Sequence, residues 1–254
     1  MTFALAMKML GATIMAFFTM IGGIFMPTEK KEICMIAHRG YSGIYHENTA
    51  LAFEKAAKHG SGGAETDIRV TSDGIYVCSH NSSITLKDGT ELEIATNTYA
   101  DLTAQNLEHK NIGNVKLCTL REYLQIMKKN DMVCFIELKG DFDDAQIKEI
   151  FDICAEEYEL PKCILQSFEM ENLLKARKIV PDLPIMLTYG SGDSYEGCIE
   201  NGISIDADYH CITEEIVKEF HDAGLEVGVW TCNDIFSLEY CKSLGVDYIE
   251  SDLF

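Results

Sequence analysis

From Ile33 onward the chain alternates short apolar runs with longer stretches of helical period. The runs occupy 33–37 (ICMIA), 63–68 (GAETDI), 132–137 (MVCFIE), 162–166 (KCILQ), 184–188 (PIMLT), 202–206 (GISID), 225–230 (LEVGVW) and 246–249 (VDYI). Each has the length of a strand rather than of a helix. Between most of them apolar residues recur at three- and four-residue spacing, as on the buried face of a helix. Two such stretches are cleanly bounded, 49–59 (TALAFEKAAKH) before Gly60 and 213–223 (TEEIVKEFHDA) before Gly224. In both, a Thr stands where an N-cap belongs and a Gly follows the last turn. Strands alternating with helices predict a parallel sheet flanked by helices. Eight such units in about 220 residues predict closure into a TIM-type (β/α)₈ barrel. An open doubly wound sheet is the alternative, and against it no G-x-G-x-x-G turn follows the first run.

One run breaks the alternation. Ile75 to His80 (IYVCSH) follows the second strand after only Ser72-Asp73-Gly74, and Asp-Gly between strand-like runs signals a hairpin. The second strand is therefore expected to pass the barrel rim and fold back. It would lead into a small insertion over about 75–118, loop-rich at first (NSSITLKDGTE), before a helix at about 119–129. After the eighth run only SDLF follows, so a last helix is expected to be missing or very brief.

Ahead of the barrel, residues 9–26 (MLGATIMAFFTMIGGIFM) carry no charge, and 18 residues sit at the short end of a membrane span. The chain thus divides into an apolar segment, 1–28, and a barrel, 32–254. No small-x-small cleavage pattern precedes Pro27, which favours an uncleaved anchor, and membrane association with it, over a removed signal. A helix packed on the barrel of a cytoplasmic protein is the alternative. Lys8 before the run and Lys30 and Lys31 after it leave the side of the membrane open.

Composition narrows the chemistry. With 254 residues, 47% of them apolar, one large core is affordable. The formal charge is −20, from 41 acids against 21 bases. Such a surface repels phosphate backbones and excludes nucleic acid as a partner. An anionic substrate would need a local cationic centre, which a bound metal ion supplies. An acidic surface also simply keeps a protein soluble. The ten cysteines form no CxxC pair, and several lie in apolar strand-like runs (ICMIA, YVCSH, VCFIE, KCILQ). They read as reduced, buried small hydrophobes rather than a disulfide framework or zinc site.

In a barrel of this kind the chemistry sits at the C-terminal ends of the strands. Those ends carry His38-Arg39-Gly40, Glu65-x-Asp67, His80 after the hairpin, Glu137-x-Lys139 and Trp230-Thr231-x-Asn233. Glu65 and Asp67, two apart on a strand, point to the same side. Two carboxylates so placed are stable if one is protonated or a cation sits between them. With Glu137 from the next strand they describe an oxygen-coordinated ion, Mg²⁺ or Ca²⁺. His38 and His80 are the candidate acid and base, since imidazole titrates near the operating pH. Arg39 and Lys139 suit a phosphate, one by its planar fork and the other as a point charge. Taken singly, each of these residues is more often a solvated strand end or an ordinary structural histidine.

Taken together they fit a known pattern. The stretch IAHRGYSGIYHENTALAFEKAAKHGSGGAETDIRVTSDGIYVCSH resembles the N-terminal half of the glycerophosphodiester phosphodiesterase family. The matching elements are His38-Arg39-Gly40, Glu47-Asn48-Thr49, Glu65-x-Asp67, Asp73-Gly74 and His80. Later ones are Thr119-Leu120, Glu137-x-Lys139, Ser167-Phe168, Trp230-Thr231-x-Asn233 and GVDYIESD. The resemblance spans about 33–252. It implies a TIM-type barrel with this insertion, a divalent ion on Glu65, Asp67 and Glu137, and acid–base catalysis by His38 and His80. It implies hydrolysis of glycerophosphodiesters to an alcohol and sn-glycerol 3-phosphate, with Phe168 and Trp230 lining the glycerol end and Glu47 and Asn81 in support. Two residues depart from the family pattern: Asn81 stands where an Asp is usual, and His46 where a Pro is usual. Two other functions compete: a phospholipase C- or D-like enzyme acting on intact lipid, and a binding or sensor protein with weakened turnover.

Overall fold

Side-chain direction alternates along a strand, so each run shows every second residue to one side. In the computed structural model, which describes residues 32–108 and 115–253, this alternation is used to fill a closed barrel. The strands are β1 (Cys34–Ala37), β2 (Gly63–Val70), β3 (Tyr76–Cys78), β4 (Ser83–Thr85), β5 (Glu91–Glu93), β6 (Val133–Leu138), β7 (Cys163–Ser167), β8 (Ile185–Tyr189), β9 (Ser204–Asp208), β10 (Val227–Trp230) and β11 (Tyr248–Ser251). The ring runs β1-β2-β6-β7-β8-β9-β10-β11, all parallel, and the β1–β11 and β1–β2 pairings close it. The open-sheet alternative is thereby removed. Every one of the eight expected runs becomes a ring strand, within about two residues of its expected bounds.

The helices are α1 (Ala50–Lys58), α2 (Tyr99–Leu102), α3 (Leu120–Asn130), α4 (Asp144–Glu157), α5 (Met170–Ile179), α6 (Glu214–Asp222) and α7 (Ile235–Leu244). Thr49 and Thr213 cap α1 and α6, their hydroxyls accepting from the backbone N–H of Ala52 and Ile216. Such a cap contributes about 1 kcal/mol. Gly60 and Gly224 follow with φ of +88° and +74°, the left-handed turn that side chains resist. The helices bury one face against the outside of the barrel. In α1 that face is Ala52, Phe53 and Ala56, with Phe53 edge-on to Tyr123 of α3 at 4.9 Å. The Tyr123 hydroxyl donates to Ala64 O at 2.7 Å, tying α3 to β2.

The barrel interior is a separate and smaller core. Ile36, Phe135, Ile164 and Met186 pack together at its floor, with Cys34, Val133 and Tyr248 against them. Two residues further along the same strands stand His38, Glu137, Gln166 and Thr188. The inward positions thus change from apolar to polar over one pleat repeat, about 6.6 Å.

β3 folds back antiparallel on β2, Ile68 opposite Cys78, as the Asp73-Gly74 signal predicts. The described residues of the insertion that follows carry more regular structure than their polar sequence suggests. β4 and β5 form a hairpin around a second Asp-Gly, Asp88-Gly89, with φ +85° at the glycine. Val77, Ile84, Ile94, Leu102, Leu107 and Leu117 give it a small core of its own. No helix follows β11 among the described residues. The apolar run 9–26, and with it the anchor expectation, lies outside the described residues. Among those described, no helix is long and apolar enough to cross a membrane.

Candidate active site

β2 places Glu65 and Asp67 on its inward side, and parallel pairing sets Asp67 opposite Glu137 of β6. Ligand oxygens of Glu65, Asp67 and Glu137 all lie within 4.8 Å of one another, and all three residues are buried. β2 continues to Val70, so the pair sits inside the strand rather than at its end.

Three carboxylates this close repel, and their neighbours divide them. Burial and the nearby acids Asp67, Glu250 and Glu137 push Glu65 well above the usual range, against the pull of Arg39. Burial likewise lifts Glu137 to about 7, although Lys139 opposes it. Asp67 is also desolvated, but Lys139 and Arg39 outweigh that and hold it below its ordinary value. Lys139 Nζ lies 2.6 Å from Glu137 Oε1 and 3.0 Å from Asp67 Oδ1. Arg39 Nε is 3.4 Å from Asp67 Oδ2, and Arg39 Nη1 donates to both oxygens of Glu47 at 3.2 Å. The Arg39 backbone N–H, aimed by a φ of +56°, donates to Glu65 Oε2 at 2.9 Å. Both cations thus sit against the carboxylate cluster.

The histidines are held by different partners. His38 Nδ1 is 2.7 Å from Asp252 Oδ1. Although burial opposes it, the His38 hydrogen bond pulls Asp252 down to about 2, so the carboxylate accepts and Nδ1 carries the proton. The Asp252 contact leaves Nε2 of His38 as the ring nitrogen not engaged by that carboxylate. Asn233 braces the arrangement, donating from Nδ2 to Asp252 Oδ2 at 2.6 Å and accepting at Oδ1 from Ser251 Oγ and the Asp252 N–H. His80 is positioned from the hairpin, its carbonyl accepting from Arg69 at 3.1 and 2.6 Å. His80 Nδ1 is 3.1 Å from Asn81 Oδ1, so the amide at the departing position still orients the ring. Burial, followed by the Arg39 charge, lowers the pKa of His80.

Phe168 and Trp230 meet edge-on at 6.1 Å at the mouth, and Lys139 Nζ lies 5.4 Å over the Phe168 ring. Trp230 Nε1 donates to Asp206 O at 3.1 Å, which fixes its plane.

Several residues of the site were not singled out in the sequence. Asn48, inside the Glu47-Asn48-Thr49 match, donates to Asp67 Oδ2 at 2.7 Å and accepts from Thr66 Oγ1 at 2.7 Å. Below it, Gln166 donates to Asp206 Oδ2 at 2.9 Å and approaches Glu250 Oε1 at 3.5 Å. Burial drives Asp206 and Glu250 far above ordinary carboxylate values. Gly228 makes room, since a Cβ there would lie 2.6 Å from Asp206 Oδ1.

The chain was compared with known proteins. The Glycerophosphoryl diester phosphodiesterase family profile matches residues 38–253. A glycerophosphodiester phosphodiesterase of Caldanaerobacter subterraneus is 27% identical over 230 residues, covering 86% of this chain and 93% of the relative. The human glycerophosphodiester phosphodiesterase 1 is 26% identical, covering 88% and 79%. An Oleispira antarctica phosphodiesterase, solved with the product sn-glycerol-3-phosphate, superposes with a TM-score of 0.77 at 22% identity, covering 86% and 92%. A Thermotoga maritima glycerophosphodiester phosphodiesterase gives 0.70 at 24% identity, covering 87% and 95%. The two structures share the barrel, and the family match spans nearly all of it: the chain belongs to the glycerophosphoryl diester phosphodiesterase family.

Proposed function

We propose that this protein hydrolyses glycerophosphodiesters to an alcohol and sn-glycerol 3-phosphate, using a divalent ion and two histidines. The observation that carries this reading is the convergence of Glu65, Asp67 and Glu137 within 4.8 Å in a buried setting. Buried carboxylates without a counter-charge are costly. The donor set is oxygen throughout, which fits a hard cation, Mg²⁺ or Ca²⁺. Glu65, Asp67 and Glu137 would hold it. Bound there, it supplies positive charge to the non-bridging oxygens of the phosphate.

The remaining work belongs to side chains of this chain. Arg39 and Lys139 bind the phosphate from the rim of the cluster, each already oriented by an acid. His38, with Nδ1 committed to Asp252, presents Nε2 as the base for the attacking oxygen. His80, its ring oriented by Asn81 Oδ1, serves the leaving alkoxide. Phe168 and Trp230 offer apolar faces to the glycerol carbons.

The test is release of sn-glycerol 3-phosphate from glycerophosphocholine, with and without chelator, beside intact phosphatidylcholine. Turnover of the deacylated substrate that stops on chelation and returns with Mg²⁺ or Ca²⁺ is expected. Turnover of intact lipid alone, or activity indifferent to chelation, overturns the reading.

A further inference from the structure

The geometry points to a second divalent-cation site, formed by His38, Glu65 and Glu250 and sharing Glu65 with the first. It rests on the metal-dependent reading above. A ring nitrogen of His38 and carboxylate oxygens of Glu65 and Glu250 lie within 4.8 Å of one another. The three come from the β1 end, β2 and β11, so ring closure brings them together.

Three further observations favour a cation here. First, His38 Nδ1 is already committed to Asp252 at 2.7 Å, the carboxylate–histidine arrangement that directs the other nitrogen to a metal. Second, Gln166 lies against the cluster, its Nε2 3.5 Å from Glu250 Oε1, while its Oε1 is buried without a partner in a residue only 1% exposed. A buried amide oxygen with no hydrogen-bond partner is a group that a cation can satisfy. Third, acids outnumber bases around the cluster. Glu65, Asp67, Glu137, Asp206 and Glu250 are all buried, while the side-chain ion pairs of Arg39 and Lys139 are with Glu47, Asp67 and Glu137. Among the described residues no ion pair joins Glu250 or Asp206 to a cation.

The donor sets of the two sites differ. Glu65, Asp67 and Glu137 offer oxygen alone, whereas an imidazole with two carboxylates suits Mn²⁺, Fe²⁺ or Zn²⁺. An ion there would occupy the His38 lone pair that the reaction needs as a base. The second site is therefore inhibitory: a transition metal at high concentration switches off an enzyme that the first ion switches on.

Mn²⁺ is the probe, since it avoids the ten thiols and is seen by electron paramagnetic resonance. Full-length protein freed of metal should bind two Mn²⁺, and a shared Glu65 should give the spin-coupled spectrum of two neighbouring ions. Glu250→Gln should bind one, uncoupled, and lose the inhibition seen as Mn²⁺ rises. Glu137→Ala should keep the Glu250-dependent ion while losing the other. One Mn²⁺ in the wild type, or two in Glu250→Gln, overturns the second site and leaves the first intact. Loss of all Mn²⁺ in Glu137→Ala with normal circular dichroism also overturns it, because the cation then depends on the first trio alone. No Mn²⁺, Mg²⁺ or Ca²⁺ bound by wild type sinks the metal-dependent reading itself.

Discussion

The lower and upper halves of the barrel interior are built from the same strands and do opposite things. At the floor, Ile36, Phe135, Ile164 and Met186 fill space and need no partners. Two residues on, His38, Glu137, Gln166 and Thr188 take the same direction and carry groups that water would ordinarily satisfy. Among the described residues, three buried side-chain oxygens that lack a hydrogen bond belong to this upper layer: Gln166 Oε1, Thr188 Oγ1 and Asp206 Oδ1. The floor supplies stability, and the upper layer spends part of it to keep charges close and dry. The difference teaches that the site was not added to the fold at its surface. It is the last turn of the same pleat, continued with ionisable residues.

Substitutions in the two layers should separate activity from stability. The largest effect is expected for Glu65→Ala, which should remove the ion and cost roughly 1,000-fold or more in kcat/KM. Metal analysis beside kinetics checks it, and full occupancy with normal turnover would contradict the assignment. Next come His38→Ala and His80→Ala, each expected to lower kcat by at least about 100-fold. A near-normal rate in either removes that residue from acid–base work. Phe135→Ala, in the floor, should instead cost about 3–5 kcal/mol of stability in urea denaturation. The protein that remains folded should bind metal as before. If it loses metal first, the two layers are not separable.

A smaller effect is expected from pH. Burial lifts Glu137 to about 7, from an ordinary value of 4.5, and pushes Glu65 well above its own ordinary value. A raised carboxyl favours the folded state while protonated. That contribution is complete below about 4.5 and is lost as pH rises through about 7. The melting temperature of metal-free protein should therefore fall by a few degrees between about pH 5 and pH 8. The increase given by Mg²⁺ or Ca²⁺ should grow over the same interval, because protons compete for the ligands. An ion-induced shift equal at both ends would break this link between burial and metal affinity.

The alternation of runs made the barrel legible, because strand length, caps and the Asp73-Gly74 turn all agree locally with the ring. The upper rim was legible where it was chemically unusual: Glu65-x-Asp67 and Glu137-x-Lys139 put charge into apolar strands. Glu250 and Asp252 were harder to see. The last run was expected to end at Ile249, whereas β11 reaches Ser251, and the inward pattern Tyr248, Glu250, Asp252 appears only with that end corrected. Gln166 and Asp206 stood in view as the last residues of ordinary runs. Their importance comes from neighbours on other strands, which no local pattern reveals. The second hairpin, β4–β5, carried the same Asp-Gly signal as the first but was masked by the polar residues around it.

The bond between His38 and Asp252 joins residues 214 apart in sequence. The His38 ring thus has its Asp252 partner only when the final strand pairs with β1. A chain frayed at that seam keeps Glu65, Asp67 and Glu137 on β2 and β6 but separates His38 from Asp252. Ring closure and the aiming of this imidazole are thus one structural event.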